Sequence, residues 1–498
     1  MHRIDKQAAI GKGWCFMPSD TNNKSALFDA VIIGGGVIGC AIARRLTLDG
    51  RRIALLEKAP EILDGASKGN SAILHTGFDA PPGSLEARCM AAGYAEYLEI
   101  HKKLGLPLIR SGALVLAWSD EEEARLPALM DQARENAVDN LSLLSAAETR
   151  KLEPGLSTAV RASFRVPGEY LIDPWSAPHA YLLQAIANKA VLLRDCEVTG
   201  GHYDNGQWRL DTSQGVIRGK IVINAAGLYA DIVDDRLLGK HDFTIHPRKG
   251  QFIVYDKPAA SLASHILLPV PSATTKGIVV CRTAFGNLLV GPTAEEQDDR
   301  QNAALVPETL AALRQRGEEI LPGLAHEDVT AIYAGLRPAS EFKDYQIHAR
   351  AGQNYVTVGG IRSTGLSSAL GVARHVQALC EGFDQDKNPL ADPIWPQVGN
   401  LVDDREDKRP RDWQCPGNDG IICHCELVTR REIEAVLSDP LAPQSLAGLK
   451  RRTRVTMGRC QGFYCSAALA KLTKGRLKHP MAEGDSEDKA GADRVGND

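Results

Sequence analysis

The chain has 498 residues, more than one hydrophobic core supports, so two or three domains are expected and a small peptide-like fold is excluded. Its 44% apolar and 24% charged content is that of an ordinary globular protein. With 58 basic against 62 acidic residues the formal charge is −4, which implies no nucleic-acid partner.

Residues 1–27 lack the continuous apolar core of a secretory signal and read as a flexible extension. The most apolar stretch, Ala30 to Ala43, is too short to cross a bilayer, so no transmembrane segment is expected. Cytoplasmic residence follows, with peripheral contact at the inner face of the cell membrane left open. In that compartment eleven cysteines are not a disulfide framework, and a tight group of them points to metal.

From Phe28, "FDAVIIGGGVIGCAIARRLTLDGRRIALLEK" parses as a buried strand, a glycine turn, an amphipathic helix and a second strand ending at Glu57. Gly34, Gly36 and Gly39 fit G-x-G-x-x-G: a tight turn, a bare backbone that a pyrophosphate can approach, and close helix-to-strand packing. The helix N-terminus then offers unpaired N–H groups to phosphate. Glu57, 21 residues past Gly36, is placed to accept hydrogen bonds from a ribose. A dinucleotide is expected, with FAD and NAD both open at this point.

Next comes "SKGNSAILHTGFDAPPGSLEARC". Ser67, Asn70 and Ser71 suit hydrogen bonds to pyrophosphate or flavin. His75 is suited either to taking a hydroxyl proton or to a structural hydrogen bond. Two further strand-to-helix turns follow far along the chain. "KIVINAAGLYAD" contributes Ala226 and Gly227; "YVTVGGIRSTGLSSALG" contributes Gly359, Gly360, Arg362, Ser363, Thr364, Gly365 and Leu366. Between the three turns, residues 93–172 and 241–330 read as insertions that build a second domain. "IHPRKGQF" offers His246, a weak candidate for substrate contact beside a solvated charge cluster, and "YAGLRPAS" offers Arg337, whose planar fork suits a carboxylate or phosphate.

Residues 386–417 are rich in Pro, Asp, Asn and Arg and read as a linker, 418–474 as a small third domain, and 475–498 as a disordered tail. In the third domain Cys423 and Cys425 form C-x-C, and after 34 residues Cys460 and Cys465 form C-x4-C. Four thiolates at that spacing suit iron–sulfur or zinc. The segment between them predicts helix, turn, helix, with Thr429 as a candidate cap.

Two resemblances sharpen this. Residues 28 to about 385 resemble the D-amino-acid-oxidase-like superfamily of flavoproteins on Gly34, Gly36, Gly39 and Glu57, and more softly on Ala226, Gly227, Gly359 and Gly360. The resemblance implies non-covalent FAD in an α/β, Rossmann-like domain made of 28–92, 173–240 and 331–385. It also implies an inserted α+β substrate domain, 93–172 and 241–330, that roofs the flavin. Residues 418–474 are similar to the bacterioferritin-associated-ferredoxin-like domain, through C-x-C-E and "LKRRTRVTMGRCQGFYC", which implies a small helical domain with a [2Fe–2S] cluster on Cys423, Cys425, Cys460 and Cys465.

Within the superfamily the third domain is like that of glycerol-3-phosphate dehydrogenases, whereas the apolar-His-x-Gly and Pro-Gly-Ser-Leu of the His75 loop are like those of L-2-hydroxyglutarate oxidases. The lysine that glycerol-3-phosphate dehydrogenases tend to carry after the paired glycines is here Ile361, which counts against phosphate as the substrate's anion. Because the third domain handles electrons while the His75 loop handles substrate, the loop weighs more on substrate. The expected activity is that of an FAD-dependent dehydrogenase. It oxidises the hydroxyl-bearing carbon of a small anionic substrate, glycerol 3-phosphate or a 2-hydroxy acid such as L-2-hydroxyglutarate. Hydride goes to flavin, with Arg337 and Arg362 at the substrate, and electrons leave through the cluster to a quinone or a carrier protein, with partner subunits compatible. The alternatives are an amine- or amino-acid-oxidising flavoenzyme and an electron-transfer module without a substrate.

Overall fold

The computed structural model describes residues 27–271, 277–384, 388–403 and 408–481. The expected extension up to residue 26, and the tail from 482 onward, lie outside the described residues.

The apolar run after residue 26 forms the strand Leu27–Ile33. It pairs in parallel on both edges, Ile32 opposite Leu55 of Ile53–Leu56 and opposite Ile223 of Gly215–Asn224. The sheet continues outward to Val191–Leu193 on one side and to Tyr355–Gly359 and Gln346–Arg350 on the other. Helices Val37–Leu48, Leu85–Ile100, Ser176–Ala187 and Gly365–Glu381 enclose one core on one face, with Ile32, Ile42, Leu46, Tyr97 and Val376 buried in it. Helix Ala230–Leu238 and Trp208 enclose another core on the opposite face. Covered on both faces, the central strand has no polar side, which is why its sequence is nearly continuous hydrophobics.

The insertions build a second, nine-stranded sheet, in the order Glu295–Glu296, Ile245–Tyr255, Leu288–Gly291, Val279–Arg282, Ile266–Pro269, Ala113–Ala117, Ala162–Val166 and Ser142–Ser145. The long strand Val329–Ser340 pairs along Ile245–Tyr255. Two expected boundaries are displaced by this packing. Residues 331–340, expected in the dinucleotide domain, are a strand of the roof, because their partner is the roof strand Ile245–Tyr255. Helix Leu85–Ile100 runs through the expected boundary at 93, since its apolar side rests on Gly365–Glu381.

Residues 388–403 and 408–417 lie against the folded body: Trp395 and Val398 pack on the dinucleotide core and Val402 is 1% exposed. The third domain pairs Ile421–Cys423 with Val428–Thr429 and carries helices Arg430–Leu437, Leu446–Thr453 and Ser466–Thr473. Thr429 is a cap as expected, in a capping box with Glu432. Leu477 completes this domain's core, so the expected tail is packed as far as Met481. Glu61 of the dinucleotide domain, 5% exposed, accepts hydrogen bonds from Gln444 N at 2.6 Å and Ser445 N at 2.7 Å, placing its charge at the start of Leu446–Thr453. Among the described residues no helix is long and apolar enough to cross a membrane.

Candidate active site and cysteine centre

The first turn is built as its glycines require. Gly34 has φ +110°, and a Cβ there would lie 2.5 Å from Ala225 O; a Cβ at Gly39 would lie 1.9 Å from Gly34 O. Strand, turn and helix therefore meet at backbone distance. The helix Val37–Leu48 starts without a side-chain cap on Gly36, and Val37 N donates to Ser67 Oγ at 3.0 Å. An uncapped helix start facing a cavity is an anion site.

That cavity, about 700 Å³, lies between the strand ends and the roof. Gly34, Gly36, Glu57, Ser67, Asn70, Ser71, Ala226, Gly227, Gly360, Ser363, Gly365 and Leu366 line it, as do Arg337 and Arg362. Glu57 accepts from Gly35 N at 2.7 Å and Ala59 N at 2.8 Å; burial raises its carboxyl's pKa while those two N–H groups oppose the rise. Asn70 braces its own loop, accepting from Ala72 N at 2.8 Å and donating to Ser67 O at 3.2 Å. Four expected residues do not line the cavity. Gly39 serves the helix-to-strand contact. Thr364 turns inward, donating to Glu86 Oε1 at 2.8 Å and meeting Tyr345 Oη at 2.6 Å. His246 is exposed on the roof strand. His75 sits behind Ser367, whose Oγ accepts from His75 N at 2.9 Å.

Arg337 is half-buried and donates to Thr293 O at 2.5 Å. Among the described residues it has no carboxylate within ion-pair distance, while Arg248, opposite it on the neighbouring strand, is taken by Glu296 at 2.8 Å. Burial, then the charge of Arg248, lowers the Arg337 guanidinium to about 10. A guanidinium partly withdrawn from water and satisfied only by a carbonyl gains when an anion joins it.

His75 Nδ1 is 2.7 Å from Glu169 Oε2, and Glu169 Oε1 accepts from Thr76 N and Thr76 Oγ1, both at 2.7 Å. Glu169 has 0% exposure. Sequence reasoning missed it: in "VPGEYL" it follows Pro-Gly and reads as an exposed turn residue, with nothing local to link it to His75.

The four expected cysteines converge. Cys425 lies beside Cys460 and Cys423 beside Cys465, and the pairs lie close enough to affect each other's charge. Cys423 and Cys465 are buried; Cys425 and Cys460 are half-exposed. The backbone N–H of Tyr464, helped by those of Gly462 and Phe463, holds the Cys460 thiol below its ordinary range, whereas burial pushes Cys465 up to about 11. Among the described residues no three His, Cys, Asp or Glu side chains close around a single point. Four thiols grouped two and two match the donor set of a two-iron cluster, with two thiolates for each iron.

The glycine cradle and the thiol pairs thus fit a dinucleotide and a two-iron cluster. A contact series joins them. Trp175 Nε1 donates to Lys68 O in the cavity wall at 3.2 Å, and Trp175 stacks on Phe285 with centroids 5.9 Å apart. The Arg454 guanidinium lies 3.7 Å from the Phe285 centroid, and Arg454 Nε donates to Glu426, beside Cys425, at 2.8 Å.

Comparison with known proteins gives a match of residues 29–379 to the FAD dependent oxidoreductase family and of residues 421–474 to the BFD-like [2Fe-2S] binding domain. The chain is 31% identical to a glycerol 3-phosphate dehydrogenase of Caloramator mitchellensis, covering 92% of this chain and 96% of that one. It is 24% identical to one subunit of the anaerobic glycerol-3-phosphate dehydrogenase of Escherichia coli K12, over 89% and 87%. Among solved structures, the FAD-bound, dithionite-reduced L-alpha-glycerophosphate oxidase of Mycoplasma pneumoniae superposes with a TM-score of 0.71 at 27% identity, covering 76% of this chain and all of that one.

Proposed function

We propose, for a chain that belongs to the FAD dependent oxidoreductase family and carries a BFD-like [2Fe-2S] binding domain, oxidation of the hydroxyl-bearing carbon of glycerol 3-phosphate, with electrons leaving through the cluster. The chain is an FAD-dependent oxidoreductase, and its cofactors are FAD and a [2Fe-2S] cluster. The contact series from Lys68 through Trp175, Phe285 and Arg454 to Glu426 carries the electron-exit part of this reading, because it sets packed protein rather than solvent between the flavin cavity and the cysteines.

Bound flavin supplies a two-electron hydride acceptor and the cluster a one-electron store. The chain supplies the rest. Arg337 holds the substrate's anion in a fixed fork. His75, which does not itself line the cavity, would take the hydroxyl proton on Nε2 by relay rather than by direct contact, Glu169 binding Nδ1–H and so selecting the tautomer. The roof strands exclude water. When FAD is bound, Gly34, Gly36 and Ser67 would hold its pyrophosphate and Glu57 its ribose.

Glycerol 3-phosphate is preferred over a 2-hydroxy acid by the likeness to the Caloramator dehydrogenase across nearly the whole of both chains. L-2-hydroxyglutarate is the second reading, favoured by the His75 loop. The acceptor is a quinone or carrier reached through partner subunits, in keeping with the Escherichia coli relative's being one subunit of its enzyme. Anaerobic mixing with each compound tests this. Glycerol 3-phosphate should bleach the flavin band and then raise the electron paramagnetic resonance signal of a reduced cluster. Bleaching only by L-2-hydroxyglutarate moves the assignment to the second reading, and bleaching only by amino acids removes both.

A further inference from the structure

The half-exposed edge of the cysteine centre carries two side chains that packing does not explain. Phe463 is 83% exposed and Tyr464 75%, whereas the next most exposed large apolar residue, Leu143, is at 54%. They lie between Cys460 and Cys465 and meet edge to face, centroids 5.2 Å apart. Their turn is fixed: Gln461 Nε2 donates to Thr330 O at 2.7 Å and to Gly458 O at 3.0 Å. Val329 and Ile332, on the strand that contains Thr330, are themselves 41% and 45% exposed. Apolar surface held in water next to a redox centre marks a contact site.

Charge narrows the partner. From Gly448 to Met481 there is no Asp or Glu. Lys471, on the helix Ser466–Thr473 that the aromatic turn leads into, and Lys474, just after it, are exposed and in no ion pair among the described residues, whereas Arg459, 66% exposed, is held by Asp256 at 2.8 Å, Arg476 by Glu434 and Lys478 by Asp195 at 2.6 Å. Two aromatics and two lysines are a marginal anchor on a bilayer. Aromatic anchors inside a basic rim match a protein interface steered by charge.

We propose that Phe463, Tyr464, Lys471 and Lys474 form the docking surface for an acidic one-electron carrier protein, placed against the Cys425–Cys460 side of the cluster. The inference rests on the function proposed above. In the step, the reduced cluster gives up one electron and the carrier's redox centre gains it; no bond forms or breaks and no proton moves.

The test uses the full-length protein with both cofactors bound, reduced by dithionite and desalted anaerobically, so that neither substrate nor hydride transfer is needed. The probes are native cytochrome c, which is basic, and fully succinylated cytochrome c, which is acidic around the same haem. At low salt the succinylated form should be reduced about tenfold faster than the native form, and the advantage should vanish as ionic strength rises. Phe463→Ser with Tyr464→Ser should slow that reaction about tenfold while leaving reduction of ferricyanide, which needs no docking, unchanged. Lys471→Glu with Lys474→Glu should reverse the preference between the two cytochromes. If the serine variant loses the cluster's visible absorption, the lysine variant decides alone. Equal rates with both cytochromes in the unaltered protein overturn the proposal, as do unaltered rates in the variants. Sedimentation with phosphatidylglycerol vesicles that depends on Phe463 and Tyr464 also overturns it, in favour of a membrane. Because the electron enters from dithionite, a failure here is separate from a failure of the substrate assignment.

Discussion

Glu169 is a carboxylate with no exposed surface whose two oxygens are spent on His75 and Thr76. A buried charge survives only when its hydrogen bonds are complete, so the neighbouring imidazole is held in one orientation. Glu169→Gln keeps the shape but can present an N–H to Nδ1, favouring the wrong tautomer. The rate of flavin bleaching by glycerol 3-phosphate should fall about a hundredfold with little change in KM, read by stopped flow. An unchanged rate removes His75 from proton transfer. Arg337→Lys replaces a fork by a point charge on a shorter reach. KM should rise about tenfold to a hundredfold with a smaller effect on kcat. Arg337 was legible in "GLRP" as an anion-binding type, yet its missing carboxylate partner depends on Arg248 taking Glu296, which local sequence does not state.

Helix Ser176–Ala187 connects the dinucleotide core to the third domain. Its His179 is buried, with Nδ1 2.7 Å from Trp175 O. Burial foremost, then the charge of Arg452 across the interface, lowers its pKa to about 3, with Arg451 and Arg194 adding to the effect. The folded chain thus keeps this imidazole neutral where the unfolded chain binds a proton below about pH 6.5. Stability is complete above that pH and is lost as pH falls toward 3, by an amount on the order of 4 kcal/mol for this one group. In urea titrations from pH 7 to 4, His179→Gln should show a shallower fall of the unfolding midpoint than the parent. Parallel curves would mean that His179 is not the acid-sensitive group. Local sequence could not supply Arg451 and Arg452 as neighbours of this helix, because they lie more than 250 residues away.

The molecule as a whole separates two tasks in space: a cavity roofed by one sheet, and a cysteine centre docked on its flank through Glu61, Gln461 and Arg459. Removing one thiol should therefore uncouple them. Cys460→Ser should leave substrate bleaching of the flavin at its usual rate while abolishing the cluster's paramagnetic signal and stopping turnover with any one-electron protein acceptor. Trp175→Leu tests the path between them. Flavin bleaching should persist while cluster reduction slows severalfold, and the tryptophan's packing role alone would not separate those two rates.

What the sequence by itself determined is whatever chemistry is decided within a few tens of residues. The strand-turn-helix with Gly34, Gly36 and Gly39, the acidic end at Glu57, and the two cysteine pairs within 43 residues are of this kind. Each is set by backbone geometry or ligand spacing, and each is written in consecutive residues. Tertiary structure alone decided that Glu169 meets His75 across 94 positions, that Val329–Ser340 joins the roof, and that Arg337 is left without a counter-charge. The reason is physical: burial and ionic pairing depend on which distant surfaces exclude water together, and that is a property of the packed chain rather than of any segment of it.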